Sequence, residues 1–353
     1  MKRKKTVLAM LAASLILCVG CVAGEESGPS AEVSETSEIA QTTSAESEDS
    51  RAEESENGVS EETSGEESKE MNDALNERVP LPERVRVQSN LDFDNRGQKM
   101  GDNDGPAYCV YSKMGYNKAS MDVLISQIRV NNIRKSDGRF VNMYMFLGCD
   151  VYSAPDGWWV NCFDSGFCYS GSDPAWHLFY NIYKPAVDGQ YGWYESKVRL
   201  DPTHDYRLTL DTSFENERAK LTVYDLTDGR DVDEVTFGVK DLRSDGTTTS
   251  YLMDFAIDFP DNTKLGPDGK PSDNWSDIVL YNTDEDLFLQ NVNVENVVIR
   301  KNGKVLDWDA GVTDHRAMWP DCSNKEIDYA CTYLVCDEDD YDVCFRVDLD
   351  MNR

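Results

Sequence analysis

The chain has 353 residues, with 66 acidic against 35 basic side chains and a formal net charge of −31. A surface this acidic excludes nucleic acid, whose phosphates need basic partners, and docking on anionic lipid. The 7 Trp, 17 Tyr and 12 Phe can fill a large core, but none of them precedes Phe93.

In chain order, Lys2-Arg3-Lys4-Lys5 and the apolar run Val7–Val19 describe an export signal. The start is basic, the apolar stretch is too short to span a bilayer, and the small residue Gly20 closes it. Gly20-Cys21 resembles the lipobox of bacterial lipoproteins. That resemblance implies a signal peptide over 1–20, lipidation at Cys21, and a protein held at the cell membrane by its lipid anchor alone, facing outward. From Val22 to Glu70, 16 acidic residues stand against Arg51 and Lys69. Highly charged and without aromatics, this segment cannot bury enough surface to offset its chain entropy, so residues 21–79 are expected to form a disordered acidic stalk. Residues 80–353 are expected to fold as one domain.

Within that domain, period-two alternation dominates. Tyr206, Leu208 and Leu210 share a face, as do Ala219, Leu221 and Val223, and Tyr251, Met253, Phe255, Ile257 and Phe259 form a longer stripe. Further strands are expected within 121–130, 139–152, 176–183, 287–300 and 341–349. Asp228-Gly229, Asp245-Gly246, Asp268-Gly269 and Asn302-Gly303 supply turns between strands. No stretch has the periodicity of a long amphipathic helix. The expected class is all-β, an antiparallel jelly-roll β-sandwich following the stalk.

Eight cysteines remain after Cys18 and Cys21, and an exported protein can pair them. Short spacings favour Cys162–Cys168 and Cys336–Cys344, each expected to close a loop between strands. Among these eight no C-x-x-C occurs, which argues against zinc ribbons and thioredoxin-type redox chemistry.

Tyr206-Arg-Leu-Thr-Leu-Asp followed by Lys220-Leu-Thr-Val-Tyr-Asp-Leu-Thr-Asp-Gly229 resembles a strand pair of concanavalin A-like lectin/glucanase and laminin G-like domains. Asp277-Ile-Val-Leu-Tyr-Asn through Val297-Val-Ile-Arg-Lys-Asn-Gly303 is similar to the closing strands of such sandwiches. The resemblance implies a concanavalin A-like fold over about 85–353 and leaves function open among lectins, hydrolases and adhesion modules.

A glucanase of that kind places carboxylates on one face of a strand. The nearest matches are Glu326-Ile-Asp328, which has Cys331 where a third carboxylate belongs, and the pair Asp254 and Asp258. His177, His204 and His315 fall in no H-E-x-x-H pattern, and no G-x-S-x-G elbow is present. His177 is expected to hydrogen-bond at a sheet surface. No cofactor is expected beyond structural calcium, which the Asp-rich turns 225–233 and 268–274 could wrap with carboxylate and carbonyl oxygens.

Trp158-Trp159, Tyr191-Gly-Trp193-Tyr194, Trp275 and Trp308 lie near turns. Flat rings beside acidic or amide groups suit sugars, so Trp158 and Trp193, flanked by Asp156 and Glu195, are the candidate ligand-binding residues. Of the adjacent Trp158 and Trp159, one should point inward and the other outward. The leading expectation is non-catalytic binding of an extracellular glycan or glycoprotein. A glycoside hydrolase of the same fold and a protein–protein adhesion or assembly module are the alternatives.

Overall fold

The computed structural model describes residues 93–94, 96, 105–131, 141–154, 156–170, 173–258, 266, 268–270, 272, 287–319, 331–336 and 342–350. The export signal, Cys21, the stalk, Trp275, Cys322 and Glu326-Ile-Asp328 lie outside them, as do Asp273 and Asn274 of the second Asp-rich turn.

Among the described residues, alternating apolar side chains build sixteen strands. They are β1 (Ala107–Ser112), β2 (Lys118–Val123), β3 (Arg129–Asn131), β4 (Asn142–Tyr152), β5 (Trp159–Tyr169), β6 (Trp176–Ile182), β7 (Trp193–Glu195) and β8 (Tyr206–Asp211). After them come β9 (Arg218–Asp225), β10 (Arg230–Gly238), β11 (Thr249–Asp258), β12 (Phe288–Lys301), β13 (Lys304–Asp307), β14 (Thr313–Trp319), β15 (Cys331–Cys336) and β16 (Phe345–Asp350). They form a seven-stranded sheet in the order β14-β1-β11-β4-β5-β6-β7 and a nine-stranded sheet running β10-β9-β8-β2-β12-β16-β15, with β3 and β13 also paired to β12. Every ladder between these strands is antiparallel.

The core is where the expected stripes meet. Tyr251, Met253, Phe255 and Ile257 of β11 are fully buried and pair in register with Cys149, Leu147, Met145 and Met143 of β4. From the nine-stranded sheet, Met121, Leu208 and Val223 bury the matching face. Asn161 ties the ends together inside the protein. Its amide donates to the carbonyls of Lys184 (3.0 Å) and Lys240 (2.7 Å), and its oxygen accepts from the Cys162 and Lys184 N–H groups. The register of β12 breaks between Leu289 and Val292 and again between Glu295 and Val298. Asn291 and Asn296 sit in these breaks at φ of 58° and 51°, a conformation asparagine tolerates better than most residues.

The expected disulfides are corrected. Cys162 and Cys168 both lie on β5. Six residues of strand span about 20 Å, whereas a disulfide needs Cα atoms about 4.4–6.8 Å apart. The spacing had been taken for a loop, but it belongs to one continuous strand. Among the described cysteines, Cys109, Cys149, Cys162, Cys168, Cys336 and Cys344, no disulfide is formed.

Candidate functional site

Antiparallel register turns the outer face of the seven-stranded sheet into transverse rows of side chains. One row crosses all seven strands: Trp193, Asn181, Asp164, Gly148, Leu252, Tyr111 and His315. The next runs Glu195, Phe179, Gly166, Phe146, Asp254, Cys109 and Ala317. A third holds His177, Cys168, Tyr144, Ala256, Ala107 and Trp319, and on the other side Cys162, Asp150 and Ser250 begin a fourth. With strands about 4.8 Å apart, the full rows span roughly 29 Å, enough for about eight residues of an extended chain.

Two glycines shape the floor. A Cβ on Gly148 would meet the Asp164 carboxylate oxygen at 3.0 Å, so the missing side chain is what lets Asp164 lean across the middle strand. At Gly166 a Cβ would come within 2.5 Å of the Met145 carbonyl oxygen and the Phe146 Cα, so only a glycine lets β5 lie this close to β4, while the Phe146 ring reaches over Gly148, its Cε2 3.4 Å from where a Cβ there would be.

On one side of these glycines the acids converge. Asp150, Asp164 and Asp254, from β4, β5 and β11, all act electrostatically on the Tyr111 hydroxyl. Burial first, and then these charges with Cys109, push the Tyr111 phenol well above its ordinary range, so it stays a proton donor. Burial likewise raises the Asp150 carboxyl to about 6, partly offset by the Trp159 indole, whose Nε1 donates to Asp150 Oδ1 at 3.0 Å. Cys109 donates to Asp254 Oδ2 at 3.0 Å, and burial together with that carboxylate raises its thiol, which makes it a poor nucleophile. Tyr111 is held by stacking on His315, with ring centroids 4.2 Å apart and planes 5° from parallel.

On the other side are rings. Tyr144, Phe146, Phe179 and Trp193 touch one another at centroid distances of 4.9–6.5 Å. All five contacts are edge-on or tilted, the arrangement aromatic pairs prefer over face-to-face stacking.

Of the residues expected to bind ligand, Trp193 and Glu195 share this face on β7, in adjacent rows. Trp158, 59% exposed, and Asp156 sit in the β4–β5 turn instead. Trp308 is completely buried. Asp254 and Asp258 do share a face, as alternation requires. Asp150, Asp164 and Tyr111 carried no signal in the sequence. β4 and β5 each hold a single acid, and which residues of the sheet they face depends on the pairing register.

A separate group lies at the end of β8 and β9. His204 Nδ1 is 2.8 Å from Asp225 Oδ2, and ligand atoms of His204, Asp225 and Asp228 lie within 4.8 Å of one another. The other Asp225 oxygen accepts the N–H groups of Thr227 (2.9 Å) and Asp228 (2.8 Å). A histidine nitrogen in the set suits a transition metal better than calcium, and nothing in the arrangement indicates calcium specifically.

No family model and no curated protein matches the chain. Among solved structures it is similar to scytalido-glutamic peptidase bound to a transition-state analogue inhibitor (TM-score 0.36, 11% identity, covering 69% of this chain and 97% of that one). Another is SCP-B, a member of the eqolisin family of peptidases, in complex with the tripeptide Ala-Ile-His (TM-score 0.32, 11% identity, covering 70% and 96%). A second scytalido-glutamic peptidase structure, with a peptide-based transition-state analogue, gives a TM-score of 0.30 at 12% identity, covering 57% and 81%. This is a distant likeness of two-sheet sandwich architecture and assigns no activity.

These comparisons correct the earlier resemblance. The described strands form an all-β antiparallel two-sheet sandwich, and the three structures named above are peptidases, none of them a concanavalin A-like lectin or laminin G-like domain. The strand pair that suggested the lectin family is real, as β8 and β9, but such a hairpin belongs to many sandwiches. The expectation of non-catalytic glycan recognition thereby loses the fold resemblance it rested on, and the distant likeness to peptidase structures puts no activity in its place.

Proposed function

We propose that this protein is a carboxylate-dependent hydrolase that cleaves peptide bonds at acidic pH on the outer face of the seven-stranded sheet. The observation that carries the reading is that Asp150, Asp164, Asp254 and Tyr111 share this face in three adjacent rows, and that the three acids act electrostatically on the Tyr111 phenol. An acid that titrates at about 6 beside other carboxylates separates the two roles hydrolysis needs. Below that pH, Asp150 holds a proton it can give to the leaving amide nitrogen. A neighbouring carboxylate, Asp164 or Asp254, takes a proton from the attacking water. Tyr111, held protonated, donates a hydrogen bond to the oxyanion that develops on the carbonyl. The packed rings of Tyr144, Phe146, Phe179 and Trp193 favour apolar side chains over sugar faces.

The test is hydrolysis of quenched fluorescent peptide libraries by the full chain between pH 3 and 7, beside Asp164→Asn, Asp254→Asn and Tyr111→Phe. Cleavage below pH 6 that falls at least a hundredfold in the aspartate variants is expected. Release of sugar from polysaccharides with no peptide turnover, or variants as active as the parent, would overturn the reading.

A further inference from the structure

The outer face of the seven-stranded sheet carries five carboxylates in its described rows, Asp150, Asp164, Asp254, Asp258 and Glu195. Those same rows contain no lysine or arginine. In a chain of net charge −31 the field at this face attracts cations and repels anions.

One end of the face has more than charge. Trp193 is 38% exposed, with one side braced against Phe179 at 5.4 Å and its edge against Tyr144. Glu195 stands two residues along the same strand and face. Burial raises its carboxyl above the ordinary range, opposed by His177 and by a hydrogen bond from Ser170. His177 is only 3% exposed, and its Nδ1 has no hydrogen-bond partner. Its Nε2 lies 3.2 Å from Asp173 Oδ2 but off the line of a hydrogen bond. The nearby cation, Arg199, is taken by Asp173 through two contacts of 3.0 and 2.7 Å. A half-buried carboxylate, a partly exposed indole and a buried imidazole with an unused nitrogen are therefore assembled at one end of the face, and no lysine or arginine among the described residues forms an ion pair with Glu195.

We propose that Glu195 and Trp193 form a subsite for a cationic group of a peptide, the ammonium or guanidinium of a lysine or arginine side chain or an α-ammonium. The carboxylate supplies the charge-assisted hydrogen bond and the indole face the cation–π contact. His177 braces Glu195 and offers a further polar atom. This deepens the peptide-hydrolase reading and rests on it only for the substrate class.

Binding at pH 7.5 tests the subsite independently of turnover. Calorimetric titration of the full chain at 0.15 M salt uses an apolar peptide with one internal lysine, the same peptide with glutamine there, and both with free or acetylated N-termini. At that ionic strength the distant acidic residues are largely screened. The cationic peptides are expected to bind about tenfold more tightly than the neutral one, and Glu195→Gln or Trp193→Leu to erase the difference. The acetylated pair separates side-chain from terminal recognition. Equal affinity for the doubly neutral and cationic peptides, or a preference that survives Glu195→Gln in a variant melting like the parent, overturns the subsite. Binding with this preference and no cleavage at any pH would leave the subsite standing and sink the hydrolase.

Discussion

The indole N–H of Trp159 donates to Asp150 Oδ1 at 3.0 Å, and this one contact ties the start of β5 to the proton-holding acid of β4. The neighbouring Tyr152 hydroxyl stands 3.5 Å from the other oxygen, too far to do the same work. The bond favours the ionised form of Asp150 and so opposes the upward push of burial. Trp159→Phe keeps a ring against Tyr183 and removes the donor. The acid should then hold its proton to higher pH, and the alkaline limb of the activity profile should move up by about one pH unit. A profile that only loses height would assign Trp159 to packing alone.

Asp150 also links the site to stability. Its folded value of about 6 lies above the ordinary carboxylate value, so the folded state binds the proton more tightly than the unfolded chain does. The penalty for ionising it is absent below about pH 4, grows between pH 4 and 6, and is constant above. Asp150→Asn should therefore match the parent in denaturant unfolding at pH 3.5 and exceed it at pH 7.5 by on the order of 2 kcal/mol. Equal stability at both values would show that the acid is not burdened by burial.

The two floor glycines should fail in different ways. At Gly148 an added Cβ meets the Asp164 carboxylate at 3.0 Å and the Phe163 carbonyl at 2.9 Å, so Gly148→Ala displaces the Asp164 side chain with a modest strain. At Gly166 it meets the Met145 carbonyl and the Phe146 Cα, both at 2.5 Å, and backbone must move. Gly166→Ala is expected to cost about 1–3 kcal/mol or more of stability, and Gly148→Ala to lose activity with a smaller fall in melting temperature. Paired melts and peptide assays decide it.

The His204–Asp225 pair gives a second pH-dependent contribution. Its hydrogen bond to Asp225 holds the His204 imidazolium above its usual value. Burial pushes the Asp225 carboxyl up, but the Asp228 N–H, His204 and the Thr227 N–H outweigh it and leave Asp225 below the usual range. The stability the histidine supplies is thus complete below its ordinary value of 6.5 and is lost as pH rises through its folded value. His204→Gln should flatten that loss in melts taken between pH 6 and 8. Persistence of the full pH dependence in the variant would place its origin elsewhere.

Much of the architecture is legible in the chain itself. Alternation along 251–257 and 206–210, with Asp-Gly turns between strands, specifies an antiparallel β protein, because side chains on a strand change face at every residue. The adjacency of Trp193 and Glu195 on one face is equally local, since two residues separate them. Other features are not local. Cys162 and Cys168 look like the ends of a short loop until β5 is seen to run straight through both. Asp150, Asp164 and Asp254 are unremarkable members of an acidic composition until pairing brings three strands side by side. Spacing within a strand decides which way a side chain points, and sequence carries that. Which strands lie next to each other, and in what register, is settled by long-range burial of the two inner faces, so the tertiary structure alone turned scattered acids into a site.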